Sequence, residues 1–435
     1  MGLFGTTKTK KINRVQQLAG SVAVPGDKSI SHRYAMLAAI AEGPSEINYF
    51  SSSADCGSTL ACLKKLGVKI ERKNNTVHIE GCGLRGLEPP SGTLDAGNSG
   101  STMRMLAGIL AGQRFRSVLA GDASLSRRPM KRVIDPLTQM GARINSAAGG
   151  LPPLEIEGSA DSLRAIRYEL PVPSAQVKSA VLFAGLFAKG DTAVVEPAAT
   201  RDHTEIALEQ MGAQIGRHDR TISVHGPTHL AGQKLFVPGD ISSAAFFLVA
   251  GLLVPESNLV LQNIGLNPTR TAILDWLVSM GGRVKVLNVE MVNGELLGDL
   301  HVESSCLEGG EIPPESVPGL IDELPALCVL GTQTERGLSF RGAAELRVKE
   351  SDRIGVVAEN LRRMGAEVEE YPDGLRVAGR QLLRGAEIET HADHRIAMAF
   401  AVAGLVAHGT TVIRNSDCVD ISFPRFFEVL DRIAG

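Results

Sequence analysis

Gly239-Asp240-Ile241-Ser242-Ser243 opens a run, Ala244–Val254, that is apolar on every side. A helix with apolar residues all round is buried in the core instead of lying on a surface. Five other stretches show the same order, a small or polar cap followed by a helical, mostly apolar run. They open at Gly26-Asp27-Lys28-Ser29, Gly97-Asn98-Ser99-Gly100, Ser174-Ala175-Gln176, Asp322-Glu323-Leu324-Pro325 and Asp393-His394-Arg395. The sequence therefore predicts six repeated units, each built on one buried helix.

Each unit continues with a strand-like segment, an amphipathic helix and two alternating segments. In the fifth unit these are Leu338–Arg341, Val357–Gly365, Glu367–Glu370 and Leu375–Ala378. This order predicts an α/β fold of two globular domains, each made of three β-α-β-α-β-β repeats with buried parallel helices. The sixth unit lacks its final strands, and we expect Val15–Val24 to supply them.

The N-terminal strand is expected to place both termini in one domain. The predicted boundaries are residues 1–22 with 236–435 for the discontinuous domain and 23–235 for the inserted domain. If the buried helices of a domain run parallel, their N-termini emerge together, and their N–H groups attract anions. We therefore expect the active site in the cleft between the two domains.

The composition excludes several classes of partner. The 435 residues carry a formal net charge of −3 and only 4% aromatic residues, so a nucleic-acid partner is not expected. No apolar run reaches the roughly 18 residues that a membrane helix needs. The six cysteines form no C-x-x-C pair, and the His residues show no metal-ligand spacing. Because Met1–Lys11 also lacks the apolar core of a signal peptide, we expect a cytoplasmic protein without metal or other cofactor.

Cations stand where a helix would not favour them. Lys28 and Arg33 lie in the first turns of a predicted buried helix, and Arg395 lies at the start of another. A cation at the positive end of a helix is misplaced unless an anion compensates it. Residues 345–353, Glu-Leu-Arg-Val-Lys-Glu-Ser-Asp-Arg, interleave three cations with three carboxylates. A salt-bridged surface helix can show such a pattern, but the neighbouring apolar runs favour an anion-binding active site.

Together these stretches resemble the 5-enolpyruvylshikimate-3-phosphate synthase family over essentially the whole chain. The matching motifs are Gly26–Ser29, Asn98-x-Gly100-x-x-x-Arg104, Arg128-Pro129-Met130, Ser174–Lys178, Arg201–Glu205, Asn267–Arg270, Arg347–Arg353 and Asp393–Arg395. Arg201–Glu205 and Asn267–Arg270 are similar to the second class of the family. The resemblance implies the enolpyruvyl transferase fold, in which each domain is an inside-out α/β barrel.

The resemblance also implies a reaction. The enolpyruvyl group of phosphoenolpyruvate is transferred to the 5-hydroxyl of shikimate 3-phosphate and phosphate is released, in the shikimate pathway to chorismate and aromatic amino acids. Both substrates carry carboxylate and phosphate groups, so their site needs several fixed Arg and Lys side chains. The resemblance implies a monomer without cofactor that glyphosate, an analogue of phosphoenolpyruvate, inhibits. Gly100 favours this sensitivity, because an Ala at this position shortens the subsite in resistant members of the second class.

Matching by motif assigns residues to each substrate. The implied phosphoenolpyruvate site consists of Lys28, Asn98, Gly100, Arg128, Gln176, Arg353 and Arg395. The implied shikimate 3-phosphate site consists of Lys28, Ser29, Arg33, Ser174, Ala175, Gln176, Arg201, Asp322 and Lys349. Asp322 is the candidate base for the 5-hydroxyl, and Glu350 is the candidate acid for the methylene carbon, with Lys28 assisting proton transfer.

The chain departs from the family pattern at two positions. Glu345 stands where many relatives have Asn, four residues before Lys349. Ile421 stands where the first class has a further Lys that contacts phosphoenolpyruvate. Either the remaining arginines suffice for that substrate, or another cation takes the place of this Lys.

Two other functions remain as alternatives. The UDP-N-acetylglucosamine enolpyruvyl transferases share the fold, but they usually carry a Cys in the loop that corresponds to Ala123–Pro129, and this chain has none there. A non-catalytic anion-binding protein of the same fold could dispense with Asp322 and Glu350, and both residues are present.

Overall fold

The computed structural model describes residues 8–159 and 162–435. Residues 1–7 belong to the expected discontinuous domain and to the N-terminal segment Met1–Lys11, and they lie outside the described residues. The helices are α1 (Lys28–Ile40), α2 (Ala54–Lys65), α3 (Gly100–Ala111), α4 (Lys131–Gln139), α5 (Ala175–Gly185), α6 (His203–Gln210), α7 (Ile241–Leu253), α8 (Ala272–Ser279), α9 (Val317–Leu320), α10 (Leu324–Gly331), α11 (Arg353–Arg363), α12 (His394–Val406) and α13 (Phe426–Ala434). Short 3₁₀ helices span Leu125–Arg127, Ala344–Val348 and Ser416–Ile421.

The strands connect these helices in a repeating order. They are β1 (Thr9–Ile12), β2 (Ala19–Ala23), β3 (Glu42–Asn48), β4 (Lys69–Lys73), β5 (Thr76–Cys82), β6 (Leu94–Asp95), β7 (Arg116–Ala120), β8 (Arg143–Ala147), β9 (Leu151–Glu157), β10 (Arg167–Glu169), β11 (Gly190–Val195), β12 (Ile215–His218), β13 (Thr221–Gly226), β14 (Lys234–Phe236), β15 (Asn258–Gly265), β16 (Arg283–Val292), β17 (Glu295–Glu303), β18 (Gly310–Ile312), β19 (Leu338–Phe340), β20 (Val368–Tyr371), β21 (Gly374–Val377), β22 (Glu387–Ile388) and β23 (Thr411–Arg414).

The chain divides into two compact units. One, called the inserted unit, comprises Gly26–Pro238 and the short segment Met291–Glu295. The other, called the discontinuous unit, comprises the described residues up to Pro25 together with Gly239–Glu290 and Leu296–Gly435. The main divisions fall three residues later than the expected boundaries at 22/23 and 235/236, between a strand and the buried helix that follows it.

The described part of the inserted unit contains three four-stranded sheets, ordered β14-β3-β5-β4, β6-β7-β9-β8 and β10-β11-β13-β12. In each sheet the first two strands are parallel, and the others pair antiparallel with their neighbours. Helices α1, α3 and α5 lie in the core of this unit, because almost all of their residues are buried. Their apolar faces pack against one another and against the inner faces of the sheets.

The discontinuous unit repeats this plan. Its sheets are ordered β16-β17-β15-β2, β18-β19-β21-β20 and β1-β23-β22, and its buried helices α7, α10 and α12 pack pairwise. Helix α7 shows why the sequence pattern is informative, since Ile241–Leu252 are all buried, as an all-apolar run requires. The prediction of an α/β fold built from β-α-β-α-β-β repeats around buried helices is confirmed.

The predicted role of Val15–Val24 in the sixth repeat is wrong. The strand in this stretch, β2, pairs parallel with β15 of the fourth repeat, whereas β1 pairs antiparallel with β23 and completes the sixth. The reason lies in β14, which precedes α7 in the chain but pairs with β3 of the first repeat. The fourth repeat therefore needs its opening strand from elsewhere, and β2 fills that place. In the described part of the chain, no helix is long and apolar enough to cross a bilayer.

Candidate active site

Polar caps begin the buried helices that carry the predicted site residues. Asp27 accepts a hydrogen bond from the backbone of Ile30 at the start of α1, and Ser99 and Ser174 do the same for α3 and α5. Asp393 caps α12 in the discontinuous unit. Each cap satisfies one backbone N–H of a first turn and fixes the point at which the chain turns into the helix.

Arg33 is the most deeply buried of the predicted site cations in the inserted unit, with 2% of its surface exposed. Its Nε donates to Thr204 Oγ1 at 2.7 Å, its Nη2 to Ser179 Oγ at 2.8 Å and its Nη1 to the Ser29 carbonyl at 2.9 Å. All three acceptors are neutral. Burial lowers the pKa of Arg33 from its ordinary 12.5 to about 10, although Glu205 acts in the opposite direction. An anionic ligand would offset part of this cost.

The beginning of α1 carries two further predicted residues. Lys28 Nζ donates to Asp55 Oδ2 at 2.8 Å, and Ser29 Oγ accepts a hydrogen bond from Arg201 Nη1 at 3.2 Å. Burial and the charges of Lys28 and Arg33 hold the pKa of His32 well below its ordinary value, so this imidazole is neutral. Positive charge at this helix start is therefore carried by the Lys and Arg side chains.

The beginning of α3 forms a second group of predicted residues. Arg128 Nη2 donates to Asn98 Oδ1 at 2.8 Å, and its Nη1 donates to the Asn98 carbonyl at 3.3 Å. Gln176 on α5 accepts from Arg104 Nη1 at 2.8 Å and donates to Ser101 Oγ at 2.9 Å. The structure thus brings Asn98 together with Arg128, and it links the starts of α3 and α5 through Gln176.

Gly100 lies directly beneath two guanidinium groups. A Cβ atom added at this position would stand 2.8 Å from Arg104 Nη1 and 3.6 Å from Arg128 Nη1. The missing side chain therefore lets both cations approach the first turn of α3 closely. The structure also places Ser174 and Ala175 at the neighbouring start of α5, where Ser174 is the cap and Ala175 the first helical residue.

Arg353 is the centre of the predicted site residues in the discontinuous unit. Its Nε donates to Asp393 Oδ2 at 2.8 Å, its Nη2 donates to Glu350 Oε2 at 2.6 Å, and its Nη1 lies 3.7 Å from Asp322 Oδ1. Burial alone would lower the pKa of Arg353, but these three carboxylates together raise it. Burial acts to raise the pKa of Asp393, yet Arg353 holds it below its ordinary value. Both groups of this buried pair are therefore charged.

Asp322 lies between two arginines. Arg395 Nη1 donates to the Asp322 carbonyl at 2.7 Å, and Arg395 Nη2 lies 3.8 Å from Asp322 Oδ2. With Arg353 on its other oxygen, the carboxylate of Asp322 is held by cations on both sides, while 14% of the side chain remains exposed. The structure thus unites Asp322, Glu350, Arg353 and Arg395 in one cluster.

Lys349 points to a different partner. Its Nζ lies 3.3 Å from Glu345 Oε1, an exposed carboxylate one turn earlier in the chain. The departure at Glu345 therefore supplies an ion pair that an Asn could not form. The second departure, Ile421, is partly buried and packs against the hydrophobic core, so this position contributes an apolar contact.

Three further residues make polar contacts but carried no predicted role. Asp393 was noted only as part of a helix start, yet it is the buried counter-ion of Arg353. Arg104 appears in the Asn98-x-Gly100 motif, and its spacing of one helical turn from Gly100 was the signal for their contact. Arg270 donates to Ser242 Oγ at 2.5 Å and lies 3.8 Å from Glu323 Oε1. No local sequence pattern predicts either contact. In the residues that the structure describes, no group of three or more His, Cys, Asp or Glu side chains could hold a metal ion.

The fold is of the class found in the enolpyruvyl transferases. It superimposes on the enolpyruvyl transferase NikO from Streptomyces tendae with a TM-score of 0.78, over 97% of this chain and 96% of that one. Sequence identity in that comparison is 18%, so this likeness shows the fold alone.

Closer relatives define the family within this class. The family model for EPSP synthase (3-phosphoshikimate 1-carboxyvinyltransferase) matches residues 12–430. A 3-phosphoshikimate 1-carboxyvinyltransferase of Solibacter usitatus is 54% identical, over 98% of this chain and 99% of the relative. The structure of EPSP synthase from Acinetobacter baumannii gives a TM-score of 0.87 at 43% identity, over 98% of both chains. The chain belongs to the EPSP synthase family, as its motifs predicted.

Proposed function

We propose that the chain carries out the reaction for which its family is named. It transfers the carboxyvinyl group of phosphoenolpyruvate to the 5-hydroxyl of shikimate 3-phosphate and releases phosphate, as a step of aromatic amino-acid biosynthesis. One observation carries this proposal beyond family membership. The candidate base Asp322 lies within 4 Å of two predicted phosphoenolpyruvate ligands, Arg353 and Arg395.

The inserted unit is proposed to supply most of the contacts to the anionic groups of the substrates. Arg33 and Ser29 bind the carboxylate of shikimate 3-phosphate, and Arg201 binds its phosphate with Ser174, Ala175 and Gln176. Lys28, Asn98, Gly100 and Arg128 form part of the phosphoenolpyruvate site, together with Gln176. Fixed guanidinium groups suit this task, because their planar forks match carboxylate and phosphate oxygens.

The discontinuous unit is proposed to supply the proton transfers. Asp322 takes the proton of the 5-hydroxyl, whose oxygen then attacks C2 of phosphoenolpyruvate, and Lys349 contacts the ring hydroxyls. Glu350 gives a proton to the methylene carbon, which makes C2 electrophilic, and Lys28 assists in proton transfer. The product of these two steps is a tetrahedral ketal. Loss of phosphate, with removal of one proton from the new methyl group, restores the double bond.

Glu350 must hold a proton before it can act as an acid. Its ion pair of 2.6 Å with Arg353 opposes this, because a nearby cation favours the charged carboxylate. We propose that phosphoenolpyruvate, an anion, takes over the Arg353 fork when it binds. Glu350 then loses its partner and faces additional negative charge, and both changes favour the protonated carboxyl.

Three further properties belong to the proposal. The chain functions as a monomer, and it does so in the cytoplasm. Glyphosate inhibits it by competing for the phosphoenolpyruvate site, and the Gly at position 100 beneath Arg104 and Arg128 supports this. The alternative action on UDP-N-acetylglucosamine is not favoured by the 54% identity to a 3-phosphoshikimate 1-carboxyvinyltransferase.

Phosphate release tests the proposal directly. The purified chain is incubated with phosphoenolpyruvate, with and without shikimate 3-phosphate, and inorganic phosphate is measured over time. Release that depends on shikimate 3-phosphate supports the function. Release that depends on UDP-N-acetylglucosamine would assign the chain to the sister enzymes. If no phosphate is released with either acceptor, the site does not perform this transfer.

A further inference from the structure

Two hydroxyl groups accept hydrogen bonds from the guanidinium of Arg33. Thr204 on α6 accepts from Nε at 2.7 Å, and Ser179 on α5 accepts from Nη2 at 2.8 Å. The two hydroxyl oxygens are 2.6 Å apart, and Ser179 Oγ donates to the Ala175 carbonyl at 2.6 Å. All of these groups are buried except Ala175, which is partly exposed.

Only one arrangement of hydrogens satisfies this group. Because Ser179 uses its single hydrogen on the Ala175 carbonyl, it must accept from Thr204, so Thr204 donates to Ser179. Both oxygens then accept from the guanidinium, one from Nε and one from Nη2. The direction of each of these hydrogen bonds is therefore determined, and the guanidinium is held along the edge that carries Nε and Nη2.

This arrangement leaves a defined pair of donors. A guanidinium has five N–H groups, and Arg33 uses three of them within the described part of the chain, on Thr204, Ser179 and the Ser29 carbonyl. One N–H remains on each terminal nitrogen. Two parallel N–H groups at this spacing match the two oxygens of a carboxylate.

A buried ion pair fixes the two helices that carry the hydroxyls. Lys178 Nζ lies 2.6 Å from Glu205 Oε1, and both side chains are fully buried. Lys178 precedes Ser179 on α5, and Glu205 follows Thr204 on α6. The ion pair therefore links α5 and α6 one residue away from each of the two hydroxyls.

We infer that Thr204 and Ser179 are positioning residues that orient Arg33 to bind the carboxylate of shikimate 3-phosphate in a bidentate manner. This inference rests on the proposed function, in which Arg33 is the ligand of that carboxylate. It adds two residues that do not touch the substrate but determine which donors Arg33 presents to it. Burial lowers the pKa of Arg33 to about 10, as expected for a buried cation whose charge a bound anion would compensate.

A cycle of two proteins and two ligands tests the inference. Dissociation constants are measured for the full chain and for Thr204→Val. The ligands are shikimate 3-phosphate and an analogue in which a neutral carboxamide replaces the carboxylate. We expect the variant to bind shikimate 3-phosphate about 10-fold more weakly, because the orientation of a charged donor is lost. Its dissociation constant for the carboxamide analogue should stay within about twofold of that of the unchanged chain. In turnover, the KM for shikimate 3-phosphate rises while the KM for phosphoenolpyruvate and kcat stay nearly constant.

Two further variants complete the design. Thr204→Ser keeps the hydroxyl and should restore tight binding, whereas Ser179→Ala should weaken binding of shikimate 3-phosphate selectively, as Thr204→Val does. Thr192→Val is the matched control, because Thr192 is buried in the same unit and its hydroxyl makes no hydrogen bond within the described residues. If Thr204→Val does not fold, Ser179→Ala carries the test.

Two results would overturn the inference. Equal weakening of both ligands by Thr204→Val or Ser179→Ala would show a general structural effect, and unchanged binding of both would show that Arg33 needs no orientation. Failure of the proposed function looks different, because the unchanged chain would then release no phosphate with shikimate 3-phosphate and would not distinguish the acid from the carboxamide.

Discussion

Arg33 in the inserted unit and Arg353 in the discontinuous unit are both almost completely buried near the start of a helix, but they are stabilised in opposite ways. Arg33 donates to neutral oxygens, including those of Thr204 and Ser179, and its pKa falls to about 10 because burial is the largest influence. Arg353 is surrounded by three carboxylates, including Asp393, and these raise its pKa in spite of the burial. The hydrogen bonds of Arg33 go to neutral groups, whereas Arg353 is part of an internal ion network.

This difference suggests a division of labour. Neutral contacts leave the positive charge of Arg33 available to a ligand, which suits substrate binding. In the proposed mechanism the carboxylates of the discontinuous unit are as important as its cations, because they exchange protons with the substrate.

Removing the proposed base should abolish most turnover without affecting binding. Asp322→Asn keeps the shape of the side chain but cannot accept the 5-hydroxyl proton, so kcat should fall by about 10²–10⁴-fold. Shikimate 3-phosphate should still bind, as measured by calorimetry. Glu350→Gln should slow the exchange of the methylene protons of phosphoenolpyruvate with solvent. Glu359→Gln, an exposed carboxylate paired with Arg363 on α11, is the control. Near-normal turnover in both site variants would refute the acid–base assignment.

The two buried arginines should differ in their contribution to stability. Arg353→Met leaves Asp393 as a buried charge without its counter-ion, so the free energy of unfolding should fall by about 3–5 kcal/mol. Arg33→Met leaves neutral hydroxyls that still bond to each other, and the loss should be about 1 kcal/mol. Urea unfolding of both variants measures the difference. Equal losses would mean that the contrast between the two sites has no energetic basis.

Gly100 should control the response to glyphosate. The unchanged chain should be inhibited, and Gly100→Ala should weaken inhibition by about 1–3 kcal/mol with a smaller penalty on phosphoenolpyruvate. The structure adds a reason, since the new methyl group would meet Arg104 Nη1 at 2.8 Å and displace a side chain that bonds to Gln176. Inhibition curves at matched saturation with phosphoenolpyruvate decide the question. An unchanged chain that is already as insensitive as the Ala variant would contradict the prediction.

Alkaline pH should selectively weaken recognition of the substrate carboxylate. Arg33 binds a carboxylate only when protonated, so this contribution is complete below pH about 10 and is lost as the pH rises through that value. The carboxamide analogue lacks the charge that depends on Arg33. The ratio of its dissociation constant to that of shikimate 3-phosphate should therefore fall by up to about tenfold per pH unit above 10. A ratio that stays constant between pH 8 and 11 would argue against Arg33 as the ligand of the carboxylate.

Much of the fold could be predicted because the repeats carry a strong local signal. Runs such as Ala244–Val254 are apolar on every side, and only a buried helix satisfies such a run. The assignment of the N-terminal strands failed because strand partners are chosen over long distances. The sequence Thr9-Lys10-Lys11-Ile12 has little apolar alternation, and nothing in it indicates that it pairs with β23.

The positions of the candidate site residues were predictable to the extent that these residues lie at helix starts. The grouping of Arg353 with Asp322 and Arg395 agrees with their motifs, but the role of Asp393 as a counter-ion depends on packing between helices that no local pattern reveals. Lys349 shows the limit most clearly, because its nearest carboxylate is the residue at which the chain departs from its relatives. A single altered residue can redirect a flexible ammonium group, whereas a planar guanidinium held at several points is harder to redirect.

The strand exchange between the first and fourth repeats has a consequence for the order of folding during synthesis. Nearly all of the inserted unit has been made once Pro238 has been made. Strand β14, which pairs with β3 of the first repeat, lies near the C-terminal end of the segment Gly26–Pro238. By contrast, β2 can pair only after β15 has been made, and β1 can pair only after residues 411–414 have been made. Since domains generally fold as they emerge from the ribosome, the middle of this chain should fold before its beginning.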